Sequence, residues 1–101
     1  MVKNLYQVVW TRRSQQHMRN AHDYISKDSP QNALKVLEEI VIAVNKAILN
    51  PEFYGPDKYK QDNDGSYRAF EKYRYRITYR FTDKEIRVLR VRHTSREPKL
   101  Y

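Results

Sequence analysis

There is no cysteine anywhere in the 101 residues. Disulfides and thiolate metal sites are therefore excluded, and the composition suits a cytoplasmic protein. Glycine occurs twice and proline four times, too rarely for a linker or a low-complexity polymer. No run approaches the roughly 18 consecutive apolar residues that a membrane helix needs. The first residues show neither the apolar stretch nor the small-residue cleavage site of a secretion leader, so neither a membrane contact nor export is expected. A chain of this length closes one modest core, so residues 1–101 are read as one small domain without a large cofactor cleft. Acids are scarce as well: 12 stand against 20 Lys and Arg, for a formal net charge of +8.

The cationic excess that remains is concentrated. Residues 66–101 carry eleven Lys and Arg against four acids, or +7, whereas residues 1–50 carry +3. The same stretch holds Tyr67, Phe70, Tyr73, Tyr75, Tyr79, Phe81, His93 and Tyr101. Cationic and aromatic side chains together suit a polyanion with flat bases. Aromatics at 13% of the chain also argue for a folded rather than a disordered protein.

Tyr6 to Trp10 is a β-branched and aromatic run and predicts a strand. Thr11 or Ser14 then caps a helix with Met18, Ala21 and Ile25 at helical spacing, ending near Ser26 to Asp28. Ser29-Pro30 opens a second helix, because Ser accepts a bond from a free amide and Pro fits the first turn. Its apolar stripe is Ala33, Leu37, Ile40, Val44 and Ala47, widened by Val36, Val41 and Ile48, and Asn50-Pro51 stops it. Two helices joined this closely form an antiparallel hairpin that lies on something flat. After a polar loop over 51–65, a three-stranded meander is expected: Tyr67 to Phe70, Tyr73 to Phe81 and Glu85 to His93, with turns at Glu71-Lys72 and Thr82 to Lys84. In the middle strand Tyr73, Tyr75, Ile77, Tyr79 and Phe81 alternate with Arg74, Arg76, Thr78 and Arg80, which puts aromatics under the helices and arginines on the open face. Arg68 joins that open face, together with either Arg90 and Arg92 or Arg87 and His93, depending on register. The fold class is α+β, with order β-α-α-β-β-β and a mainly antiparallel sheet.

These pieces in this order resemble the RelE/ParE family, the toxins of bacterial type II toxin–antitoxin modules. The resemblance rests on the Tyr-Gln-Val-Val-Trp strand, Tyr24-Ile25 followed by Ser29-Pro30 and Ala33, Asn50-Pro51, Tyr67-Arg68, Tyr75-Arg76-Ile77-Thr78-Tyr79-Arg80, and Leu89-Arg90-Val91-Arg92-His93. It implies a cognate acidic antitoxin as partner. It also implies one of two activities on one fold: ribosome-dependent cleavage of messenger RNA in RelE-like members, or poisoning of DNA gyrase without a hydrolytic site in ParE-like ones. Arg76 matches the position of a catalytic RelE arginine, Arg96 follows at the distance of a second, and Tyr101 lies within one residue of the catalytic tyrosine. His93 lies near the catalytic histidine of YoeB-like relatives. Arg68 matches one of two RelE strand lysines in charge, and Phe70 stands where the other would be. The Ser-Pro hairpin with Ala33 is similar to ParE.

Metal-independent RNA cleavage needs a base for the 2′-hydroxyl proton, cations around the phosphate and an acid for the leaving oxygen. His93 is of the one side-chain type that titrates near neutrality when unperturbed. Arg76 and Arg96 offer the planar fork that suits a phosphate, and Tyr101 offers a ring to stack or a hydroxyl to donate. Ribosome-dependent RNA cleavage with Arg76, His93, Arg96 and Tyr101 is therefore the expectation, with the ribosome and messenger RNA as partners. Gyrase poisoning and a non-enzymatic nucleic-acid-binding module are the alternatives. Arg68, Arg74, Arg80, Arg90 and Arg92 form the expected nucleic-acid-binding face. The plain structural role for His93 is a strand-end histidine bonded to the following turn. His17 and His22, five apart on a helix, make a poor metal pair, so neither a metal nor another cofactor is expected.

Overall fold

The structure, a computed structural model, describes residues 6–101. Strand β1 (Gln7–Trp10) leads into helices α1 (Arg12–Ser26) and α2 (Pro30–Asn45), a short 3-10 turn (Lys46–Ile48), and strands β2 (Tyr67–Lys72), β3 (Tyr75–Phe81) and β4 (Glu85–His93). The expected α+β order holds. The four strands form one sheet in the order β1-β4-β3-β2, with β1 parallel to β4 and the other pairs antiparallel. No helix among the described residues is long and apolar enough to cross a membrane.

Local chemistry sets the helix ends. Thr11 is the cap of α1: its hydroxyl oxygen accepts the Ser14 N–H at 3.1 Å, and the Ser14 hydroxyl donates to the Thr11 carbonyl at 2.8 Å. Ser29 caps α2 by accepting the Asn32 N–H at 3.1 Å, with Pro30 in the first turn. Ala33, Ile40, Val44 and Ala47 of the expected stripe are buried, Leu37 is half-buried, and the buried face widens toward Val36 and Ala43 while Val41 is exposed. Ala21, Val36, Ile40 and Val44 meet Tyr75, Ile77, Val88 and Val91 of the sheet in the main core. Beside it, Ala47, Tyr79 and Ile86 pack with Tyr54, Phe70 and Phe81. The Tyr79 hydroxyl donates to the Pro51 carbonyl at 2.6 Å, and burial pushes its pKa up to about 12.

Two features differ from the expected sheet. The β2–β3 turn falls at Tyr73-Arg74, not Glu71-Lys72, and Lys72 pairs with Tyr75. Both turn residues have positive φ, 51° and 66°, the backbone that a two-residue hairpin loop requires. Neither is the glycine or asparagine that marks such a loop in a sequence, and Tyr73 leaves the aromatic row for solvent. The second feature is a bulge. Thr78 pairs with Arg90 but Tyr79 pairs with Val88, so Leu89 is an extra residue and the alternation of β4 shifts by one. Because residues opposite one another share a face, Arg87, Arg90 and Arg92 all join Arg76 and Arg80 on the open side. Both register alternatives are therefore corrected. Arg68 pairs with Tyr79, and His93 with Tyr75, so both belong to the helix-facing side and not to the open arginine face.

Candidate functional site

The loop after α2 places Asp57, almost fully buried, against the open face of the sheet. One of its carboxylate oxygens accepts from Arg76 Nη2 at 2.7 Å and from the Tyr59 N–H at 3.1 Å. The other accepts from the Tyr101 hydroxyl at 2.5 Å. Burial raises the pKa of this carboxyl, but the bonds from Tyr101, Arg76 and Tyr59 outweigh it and hold the group below its usual range. The Tyr101 hydroxyl is pushed up by burial and by the adjacent carboxylate. The Tyr101 main chain is also pinned: its N–H donates to the Tyr59 carbonyl at 3.1 Å, and its oxygen accepts from the Gln61 N–H at 2.7 Å. The tail is thus stapled across the sheet.

Against that arrangement the four expected catalytic residues divide. Arg76 is ion-paired to Asp57 and, at 3.6 Å, to Glu71, and its guanidinium lies 4.7 Å from the centre of the Tyr59 ring. Tyr101 is held by Asp57. His93 turns its ring edge-on toward Tyr75 and Tyr24, and its Nδ1 accepts the Ser95 N–H at 3.1 Å. That is the strand-end role bonded to the following turn. Arg96 is exposed and has no carboxylate within ion-pair distance among the described residues. All four border one narrow cavity under the tail, which at about 40 Å³ has room for a water and not for a nucleotide, and His93, Arg96 and Tyr101 but not Arg76 also border a larger groove beside it.

The expected nucleic-acid-binding arginines also separate. Arg68 donates to the Gly65 and Tyr54 carbonyls at 2.8 and 3.2 Å and pairs with Glu52 at 3.2 Å, so it fastens the 52–65 loop. Arg74 sits in the β2–β3 turn. Arg80 lies at the far end of the open face over the Tyr67 ring, 5.1 Å from its centre. Only Arg90 and Arg92 lead into a larger groove of about 700 Å³. It runs between α1 and the tail, where β1 has ended and the later half of β4 has a free edge. Arg13, His17, Asn20 and Tyr24 line it from α1, Arg90 and Arg92 from β4, and Arg96 and Lys99 from the tail. His17 closes the strand edge by accepting the Val91 N–H on Nδ1 at 3.1 Å. Among the described residues no group of three or more His, Cys, Asp or Glu is placed to hold a metal ion.

The sequence model of the family described as "ParE toxin of type II toxin-antitoxin system, parDE" matches residues 8–98. The chain belongs to the ParE toxin family. A chain from the chromosomal ParDE TA system of P. aeruginosa shares its fold, with a TM-score of 0.70 over 90% of this chain and 98% of that one at 21% identity. No curated protein sequence matches it. As a toxin of a type II module, it has an antitoxin for a partner.

Several toxin residues that matter to this site were not assigned to it by sequence reasoning, His17 having been weighed only as a metal ligand. Asp57 lay in a stretch read only as a polar loop. Its signal was charge: Glu52, Asp57, Asp62 and Asp64 outnumber Lys58 and Lys60 there, making 51–65 a net negative segment facing a basic sheet. Arg13, His17, Asn20 and Tyr24 recur at spacings of four, three and four, a polar stripe on α1 that helical periodicity could have marked.

His17 carries a testable pH dependence. Burial first, then Arg13 on α1, Arg92 and Arg90 on β4 and Arg96 in the tail, lower its pKa. The unfolded chain therefore takes up the proton first as pH falls below about 6.5, and the histidine's contribution to stability declines from there toward the folded pKa. The urea midpoint of the wild-type toxin is expected to fall between about pH 7.5 and about pH 5.5, with a shallower decline in His17→Gln. Equal slopes in the two proteins would contradict this assignment.

Proposed function

We propose that this toxin poisons DNA gyrase and has no hydrolytic site of its own. What carries the reading is the Asp57 junction, supported by membership of the ParE rather than the RelE side of the family. In an RNA-cutting site Arg76 and Tyr101 would have to be free for the phosphate and the leaving group. Here Asp57 binds both, at 2.7 and 2.5 Å, and His93 is committed to its turn. Arg76, Tyr101 and His93 are on this reading structural residues, whereas Arg90, Arg92 and Arg96 remain available to a target. Residues 1–101 act as one unit in the cytoplasm, where both target and antitoxin are found. The antitoxin is acidic, complementing the +8 charge, and its folding segment covers the exposed apolar side chains Leu34, Ile42, Leu49 and Phe53 along and after α2.

The purified toxin is expected to block gyrase-dependent supercoiling and to trap cleaved DNA, while primer extension in a translating extract finds messenger RNA intact. Cut messenger RNA with unaffected supercoiling would replace this reading by ribosome-dependent cleavage.

A further inference from the structure

Four cations of the sheet are paired with acids of the chain. Arg68 pairs with Glu52 at 3.2 Å, Lys72 with Glu39 at 4.0 Å, Arg76 with Asp57 at 2.7 Å, and Arg87 with Glu85 at 2.8 Å. The groove between α1 and the tail differs in kind. Arg13, Arg90, Arg92, Arg96 and Lys99 line it, no Asp or Glu does, and among the described residues none of these five has a carboxylate within ion-pair distance. Five like charges converging on one cleft repel one another and weaken the fold unless an anion joins them. What sets this groove apart is the convergence of five cations on one cleft whose lining holds no Asp or Glu.

Three observations narrow the class of anion. Four of the five cations are arginines, whose planar forks bind phosphate oxygens in pairs. Tyr24 stands at the rim with 63% of its surface exposed, a flat ring of the kind on which an unpaired base stacks. A volume of about 700 Å³ exceeds what an isolated phosphate needs and runs along the strand edge. An acidic peptide that folds on binding needs apolar anchors as well. Most exposed apolar side chains are on and after α2, at Leu34, Ile42, Leu49 and Phe53, whereas the groove offers only Leu100 beside Tyr24.

We infer that the groove binds a segment of single-stranded DNA, its phosphates held by Arg13, Arg90, Arg92, Arg96 and Lys99 and a base stacked on Tyr24. The choice of DNA over RNA rests on the gyrase reading, since the target of that reading acts on DNA, and the choice of a single strand rests on the exposed Tyr24 ring, which only an unpaired base can stack on.

The test is fluorescence anisotropy of a labelled oligo(dT) with purified toxin and no gyrase present. Arg92→Ala/Arg96→Ala is expected to weaken binding about tenfold or more, and to reduce the slope of log K against log salt by about 1.4, or roughly 0.7 for each phosphate no longer neutralised. Lys35→Ala/Lys46→Ala removes the same charge from the exposed side of α2 and its end, and should change affinity by no more than about twofold. Tyr24→Ala should weaken binding by about fivefold or more, the worth of one stacked base. Circular dichroism melts confirm that each variant is folded, and Arg96→Ala alone, at an exposed position, serves if the double variant is not. Equal losses in the two double variants would reduce the binding to net charge and overturn the inference. Tighter binding of polyglutamate would assign the groove to an acidic protein segment, and tighter binding of oligo(U) would assign it to RNA; either overturns it. Because gyrase is absent, oligo(dT) binding by a toxin that leaves supercoiling untouched removes the gyrase reading alone, and loss of the groove site beside intact gyrase inhibition removes the groove alone.

Discussion

Asp57→Ala is expected to lower the unfolding free energy of the toxin by about 3 kcal/mol, at the lower end for breaking a buried ion pair because Arg76 keeps some contact with water. For a domain of this size that corresponds to a melting temperature about 12 °C lower. The carboxylate is almost wholly buried and joins three parts of the chain: its own loop through the Tyr59 N–H, β3 through Arg76, and the tail through the Tyr101 hydroxyl. Removing it frees the tail, so amide exchange at Gln61, whose N–H donates to the Tyr101 oxygen, should accelerate as well. An unchanged melting temperature would show that the junction contributes nothing to the fold.

The same junction sets an acid limit. The Asp57 carboxyl has a lowered pKa in the folded state, so its stabilisation is fully present above the unfolded value of about 3.9 and is lost as pH falls through the folded one. Wild type should lose stability over that acidic range more steeply than Asp57→Ala. Arg76→Ala strands the buried carboxylate and should destabilise at least as much as Asp57→Ala. Any loss of toxicity in that variant therefore reports on folding before it reports on chemistry.

The parts of the fold legible in the sequence are those that depend on neighbours along the chain. Thr11, Ser29 and Pro30 announce helix starts because capping is local. The alternation from Tyr75 to Arg80 announces a strand with one buried face. The Leu89 bulge and the Tyr73-Arg74 turn depend on pairing between strands, and neither carries a glycine or asparagine to mark it. The candidate site was legible in residue type, whereas the contacts that arrange it were not. Arg76 and Tyr101 do come together, but the group that brings them together is Asp57, a lone acid in an irregular loop whose partners lie 19 and 44 residues away. No spacing rule spans such separations. The groove was missed for a related reason: it is assembled from α1, the end of β4 and the tail, and although Arg90, Arg92, His93, Arg96 and Tyr101 stood out, nothing joined to them the α1 residues that complete it.

Ile40→Ala is expected to cost about 2–5 kcal/mol, a large share of the roughly 5–15 kcal/mol available to a small domain. Ile40 is fully buried on α2 and belongs to the core shared with Ala21 of α1 and with Tyr75, Ile77, Val88 and Val91 of the sheet. Truncation removes apolar packing and leaves a cavity where helix meets strand, a region whose backbone is already tied by its own hydrogen bonds and cannot collapse far. Two residues on, Ile42 is half exposed, and Ile42→Ala should change stability by about 0.5 kcal/mol at most. Two apolar residues of one type on one helix are thus separated by about 200° of rotation, one face serving the core and the other left for a partner. Urea denaturation of the two variants beside wild type measures the contrast. Comparable losses at both positions would mean that the outer face of α2 is covered within the toxin itself, and the antitoxin would have to dock elsewhere.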